Sequence, residues 1–235
     1  MTDRLGYRKI FGLIVPSPNT TMQPEFDAMR PDGVTNQTGR FDITDPDRIP
    51  EAILETAERL RSCRPDALIH GYTMEQRPWT PEQHADFNSQ LRQRAGVPVT
   101  LASEAGPAAL RAVGAKRIGL VTPFKPQGAE NAKLFFEDRD FTVASVEAMN
   151  FESALHIPQA PEEVIFEAFR KVDGDDVDAL IQVGGALSAS SLNEKLEADR
   201  GKPVITVNAA TYWQALRDNG IDDKVQGFGR LLAEF

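Results

Sequence analysis

The 235-residue chain has one cysteine, three histidines, two tryptophans and three tyrosines. A single cysteine, Cys63, builds no disulfide framework and no cysteine-based metal site within one chain, which fits a reducing, cytoplasmic setting. The histidines at 70, 84 and 156 lack metal-ligand spacing, so no metal is expected. Basic residues are outnumbered, with 26 Lys and Arg against 35 Asp and Glu and a net charge of −9. That argues against nucleic acid as a partner, because such binding rests on a basic surface. A small anionic substrate stays compatible, since one pocket can be positive on an acidic protein. The apolar run Phe11 to Val15 stops at Pro16, too short for a secretion signal or a membrane span. The chain contains no G-x-G-x-x-G, no G-x-x-x-x-G-K-[ST] and no G-x-S-x-G, so classical dinucleotide, P-loop and nucleophile-elbow readings have no motif to stand on. The sequence sets no oligomeric state and leaves a homo-oligomer open.

What is present is an alternation of buried-strand and amphipathic-helix patterns. "KIFGLIV" (9–15), "DALIHG" (66–71) and "PVTLAS" (98–103) read as strands. "PEAILETAERLRSC" (50–63) puts Ile53, Leu54, Ala57 and Leu60 on one helical face. "TPEQHADFNSQLRQRAG" (80–96) carries a capping box, Thr80 with Gln83, and a closing Gly96. His84 falls on the exposed pattern of that helix and reads as a surface residue.

The pattern then begins again. "KRIGLVTP" (116–123) repeats "KIFGLIVP" (9–16), and "DALIQV" (178–183) repeats "DALIHG". "GKPVITVN" (201–208) repeats "GVPVTLAS" (96–103), and "QALRDNG" (214–220) repeats "AALRAVG" (108–114). Four blocks in the same order imply an internal duplication. The expected fold class is α/β: two pseudo-symmetric lobes, 1–115 and 116–235, each a mainly parallel sheet flanked by helices, with the site in the cleft between them.

Ligands on such sheets sit beyond the carboxyl ends of the strands. Four segments follow those ends: "PSPNTT" (16–21), "GYTMEQ" (71–76), "PFKPQG" (123–128) and "GGALSASS" (184–191). They are rich in small and hydroxyl residues, as anion-cradling loops are. Ser17, Asn19 and Thr73 are substrate-binding candidates, with the backbone N–H groups of Gly184 and Gly185. The first loop also serves as a strand exit in which Thr20 or Thr21 caps a helix. His70, Tyr72, Glu75 and Lys125 are the candidates for proton transfer. His70 reads equally as a core histidine, and Lys125 equally as a solvated surface cation.

Together "GLIVPSPNTTMQPEF", "VTPFKPQGAEN", "LIQVGGAL" and "GFGRLL" resemble the maleate isomerase and arylmalonate decarboxylase family, within the aspartate/glutamate racemase superfamily. The resemblance spans nearly the whole chain and implies two pseudo-symmetric lobes and catalysis without metal or organic cofactor. It implies one or two cysteine thiols, one after the strand matching "DALIH" and one after that matching "DALIQ". Those positions are Gly71 and Val183 here. It further implies that Thr73, Gly184 and Gly185 hold a substrate carboxylate or its enediolate, that Asn19 binds substrate, and that Phe124 replaces a tyrosine common in relatives. The expected function is a cofactor-independent isomerase or decarboxylase acting on a small carboxylate through an enolate-like state without a catalytic cysteine. A hydrolase on the same fold, or a carboxylate-binding protein without activity, is the alternative.

Overall fold

A computed structural model describes residues 3–235. Strands β1 (Lys9–Pro16), β2 (Val34–Phe41), β3 (Ala67–His70) and β4 (Val99–Leu101) form a parallel sheet in the order β2-β1-β3-β4. Strands β5 (Arg117–Thr122), β6 (Thr142–Ala148), β7 (Ala179–Gln182) and β8 (Val204–Thr206) form a second parallel sheet in the corresponding order, β6-β5-β7-β8. Residues 115 and 116 lie in the short connection between the helix that ends at Ala112 and β5.

The central strands are the ones the sequence announces. β1 is buried from Phe11 to Pro16 and β3 throughout, because a parallel sheet covered on both faces needs continuous apolar runs. The glycine shared by "KIFG" and "KRIG" has a packing cause. A Cβ at Gly12 would overlap the Leu68 side chain, and one at Gly119 would overlap the Val172 carbonyl.

The helices are α1 (Met22–Ala28), α2 (Ile49–Leu60), α3 (Pro81–Ala95), α4 (Ala102–Ala112), α5 (Pro126–Glu137), α6 (Glu162–Val172), α7 (Asn193–Arg200), α8 (Val207–Asp218) and α9 (Arg230–Glu234). α2 buries Ile53, Leu54, Ala57 and Leu60, then tightens into a 3₁₀ turn at Arg61–Cys63. α3 has the expected capping box, and Gly96 ends it at φ 69°.

α4 and α8 begin directly after β4 and β8 and exchange sides. α8 packs on α1, β3 and β4 of the first half, while α4 packs on β8 and on α8 itself. Tyr212 of α8 stacks on Phe26 of α1 at 5.4 Å between ring centres and meets Phe11 of β1 edge-on at 6.1 Å. On the other side, α4 lies at Gly106 against Ile181 of β7 and Phe136 of α5. One core cluster therefore runs from Phe11 and Phe26 through Tyr212 to Phe136 and Ile181.

Candidate active site

The carboxyl ends of β1, β3, β5 and β7 open onto one cavity of about 650 Å³. Pro16, Pro18 and Asn19 line it from the first loop, Gly71, Tyr72, Thr73 and Gln76 from the second, Phe124 and Lys125 from the third with Asn131 from α5, and Gly184 to Ala186 from the fourth. Met22, Ile43, Phe151 and Ile157 add apolar wall.

Local chemistry explains each loop. Asn19 folds the first one: its Oδ1 accepts from the N–H groups of Thr21 (2.9 Å) and Met22 (2.8 Å), capping α1. Its Nδ2 donates to the Gly185 carbonyl at 3.2 Å, and Thr21 Oγ1 donates to Ala186 O at 2.8 Å. The first and fourth loops are thus fastened across the cleft. Gly184 sits at φ 118°, where a Cβ would also strike Pro123. The Gly185 N–H reaches Thr73 Oγ1 at 3.4 Å, so this hydroxyl accepts from the loop and keeps its own proton to donate.

Beneath the fourth loop lies a buried network that sequence reasoning missed. Glu25 of α1 accepts from Ser190 N (3.0 Å), Ser190 Oγ (2.6 Å) and Asn208 Nδ2 (2.7 Å). Asn208 Nδ2 also donates to Gly185 O at 3.1 Å. Thr206 Oγ1 donates to Ser190 Oγ, and Asn193 Nδ2 donates to Thr206 Oγ1, both at 3.1 Å. Burial pushes the Glu25 carboxyl above its ordinary range, and the Ser190 and Asn208 hydrogen bonds pull partly against that. The network pins the Gly184–Gly185 turn to the first half of the molecule.

The sequence-derived candidates divide. Asn19, Tyr72, Thr73, Phe124, Lys125, Gly184 and Gly185 all line the cavity, with Lys125 exposed at its mouth. Asn19 does so with its carbonyl oxygen fully committed to capping. Tyr72 is half-buried, its hydroxyl accepts from Gln76 Nε2 at 3.3 Å, and burial pushes its pKa up. Three candidates lie elsewhere. Ser17 is exposed outside the lining, because its backbone pairs with Phe41 and Arg40 and turns the side chain outward. His70 is fully buried against Phe87 and is held neutral, its pKa pushed down to about 3 by burial. Glu75 is buried with both carboxyl oxygens unpartnered, and desolvation lifts it to about 7. His84, expected at the surface, is buried between Trp79 (5.4 Å) and Phe135 (5.3 Å), a ring from the other half of the chain.

Gly71 and Val183 carry no reactive group. A Cβ at Gly71 would overlap the Met22 Cε, so the Met22 methyl occupies the space a side chain there would take. Val183 is buried in the core. Cys63 lies outside the cavity lining, in the turn that precedes β3, where its thiol donates to Leu60 O at 3.0 Å.

The Glu75 environment has a measurable consequence. The folded carboxyl keeps its proton up to about 7, against the usual 4.5, so its stabilising contribution is complete below 4.5 and is lost as pH rises through 7. Glu75→Gln cannot ionise. Relative to wild type, the variant should gain about 3 kcal/mol between about pH 4 and pH 8. His70 and His84, held at about 3 and about 4, act in the opposite sense, losing stability as pH falls below 6.5. Their effect is common to both proteins and cancels in the difference. Urea unfolding of both proteins across that range checks this; parallel pH profiles would show that Glu75 is not buried as an acid.

Known proteins share this fold. The chain is 27% identical to a maleate isomerase of Nocardia farcinica, over 98% of this chain and 97% of the relative. It is 30% identical to an arylmalonate decarboxylase of Bordetella bronchiseptica, over 64% of this chain and 65% of the relative. A solved Nocardia farcinica maleate cis-trans isomerase variant, carrying a covalently bound succinylcysteine intermediate, has the same fold with a TM-score of 0.87 at 24% identity, covering 97% of this chain and 99% of that one. The family model for arylmalonate decarboxylase matches residues 11–232, and on that match, which takes in both sheets and all four site loops, the chain belongs to the arylmalonate decarboxylase family.

Proposed function

We propose that this chain is a cofactor-independent isomerase or decarboxylase that acts on a small carboxylate through an enolate-like state, without a catalytic cysteine. The observation that carries this reading is the meeting of the Thr73 hydroxyl with the Gly184–Gly185 turn in a cavity whose apolar wall includes Pro16, Met22, Phe124 and Phe151. Preorganised donors in apolar surroundings stabilise an oxyanion far better than water does. The apolar wall suits a substituent beside the reacting carbon, and Lys125 at the mouth supplies the opposite charge for a carboxylate.

Of the four proton-transfer candidates, Tyr72 and Lys125 remain in reach of the cavity. The raised Tyr72 pKa keeps the phenol protonated at neutral pH, so it acts as an acid. For a decarboxylation, the bond between the α-carbon and the carboxyl group breaks and carbon dioxide leaves. The electron pair is held as the enolate by the Thr73 hydroxyl and the Gly184 N–H, the Gly185 N–H being committed to Thr73 Oγ1. Tyr72 then delivers its proton to the α-carbon and recovers one from solvent. The Nocardia farcinica relative holds a succinylcysteine, whereas the only cysteine here lies outside the cavity. That favours decarboxylation or a proton shift over covalent thiol addition.

The test is a panel of mono- and dicarboxylates, including malonates with an apolar substituent, followed by calorimetry for binding and proton NMR for products. Turnover of a panel member is expected. Binding without turnover of any would leave a carboxylate-binding protein, and hydrolysis of an ester or amide analogue alone would leave a hydrolase. Thr73→Val should weaken binding of the best carboxylate by about 1.5–3 kcal/mol, because one donor to a charged group is removed. Unchanged affinity would take Thr73 out of the site.

A further inference from the structure

A second cavity, of about 380 Å³, lies behind the wall of the first, and Pro78 and Asn131 line both. Its sides are Trp79, Phe135, His84 and two arginines, Arg77 and Arg139. Thr80 and Pro81 bring the N-terminus of α3, a 15-residue helix, to the same space. A smaller cavity of about 260 Å³ adjoins it and shares His84 and Arg139.

Three features point to an anion with a flat apolar body. First, Arg77 and Arg139 form no ion pair among the described residues. Arg77 donates to Pro46 O (2.9 Å) and Arg139 to Phe135 O (2.8 Å), which leaves most of each guanidinium fork free. Asp138 is the sole acid among the lining residues of this cavity. Two cations around one space without an ion pair stand out on a chain of net charge −9, although Glu75, Asp138 and Glu104 act on Arg139 through space. Second, both guanidinium groups lie over rings, Arg77 at 5.1 Å from the Trp79 centre and Arg139 at 3.5 Å from that of Phe135. Stacking fixes the forks and lowers the entropy lost when an oxyanion binds. Third, His84 is only 4% exposed, its imidazole has no hydrogen-bond partner among the described residues, and it lines both cavities. Its ring nitrogens are open to these cavities, where an occupant can meet them.

We propose that this cavity is a second ligand site, for a carboxylate or phosphate carried on an aromatic ring, with Arg77 and Arg139 on the anion, His84 as a neutral polar contact, and Trp79 and Phe135 on the ring. The site abuts the loop of the first cavity. Asn131 Nδ2 donates to Gln76 O at 2.9 Å, and Gln76 in turn bonds Thr73 O and the Tyr72 hydroxyl, so an occupant bears on Tyr72 and Thr73 from behind.

Titration of the full chain with phenyl phosphate and with benzoate, followed by tryptophan fluorescence and calorimetry, tests this. Both probes should bind and perturb Trp79, and inorganic phosphate should bind at least about tenfold more weakly because it lacks the ring. Arg77→Gln and Arg139→Gln should each weaken phenyl phosphate about tenfold or more, while Thr73→Val leaves it unchanged. Arg139 also caps the end of α5, so Arg139→Lys, which keeps the charge, and the independent Arg77→Gln guard against a folding artefact. Absence of binding at about 10 mM probe would overturn the proposal. So would affinity lost in Thr73→Val but kept in the arginine variants, which would place the probe in the first cavity. Either failure leaves the reading of the first cavity standing, since neither Arg77 nor Arg139 lines it.

Discussion

Tyr72→Phe is expected to lower turnover by about 10²–10⁴-fold while changing substrate affinity little, the range for loss of a positioned acid. Tyr72 is the titratable side chain of the β3 loop that faces the cavity, and its neighbour Thr73 holds the Gly185 N–H. The substitution removes a single oxygen and keeps the ring, which packs edge-on against Phe41 at 5.6 Å, so the loop should stay in place. Steady-state rates with the best acid from the panel, together with its dissociation constant, decide it. A loss confined to affinity would make Tyr72 a binding group and shift the proton to Lys125. Full activity should also survive a thiol reagent, because Cys63 sits outside the cavity. Rapid inactivation against which substrate protects would bring Cys63 into the mechanism and end this one.

Glu25→Ala should cost about 3–5 kcal/mol of stability and at least about 10²-fold in turnover. The carboxylate is the common acceptor for Ser190 N, Ser190 Oγ and Asn208 Nδ2, all buried. Each donor left without a partner costs about 1–3 kcal/mol, and because they share one acceptor the losses do not simply add. Asn208 also holds the Gly185 carbonyl, so its release displaces the turn that faces the substrate. A displacement of about 1 Å in a preorganised site suffices for the loss in rate. Glu25→Gln retains an oxygen for Ser190 and should recover most of the stability. Chemical denaturation and kcat on both variants test this, and a loss below about 1 kcal/mol in Glu25→Ala would show that the network closes up without its carboxylate.

The sheet order in each half was legible only in part. β1, β3, β5 and β7 stand out because central parallel strands are continuous apolar runs. β2 and β6 went unread. "VTNQTGRF" and "TVASVEA" lie at sheet edges, carry polar residues and lack such a run. Thr73, Gly184 and Gly185 could be singled out because they follow strand ends, and they meet at the cavity. Glu25 was invisible: one glutamate in a short helix reads as surface, and its partner Asn208 lies 183 residues away. His84 misled for a similar reason. Its own helix pattern is exposed, and the burial comes from Trp79 and Phe135, which local periodicity does not report.

The crossed seating of α4 and α8 bears on how a substrate gets in. Two lobes joined by a simple connector swing apart like a clamshell, and the cleft opens along its length. Here each half has lent the other a helix: Tyr212 lies among Phe11 and Phe26, and α4 lies against Ile181 and Phe136. Parting the halves would draw both helices out of a shared apolar core and expose rings that have no other cover. Entry and exit are therefore left to the rim, where Lys125, Pro78 and Glu152 stand exposed around the opening while the floor stays fixed.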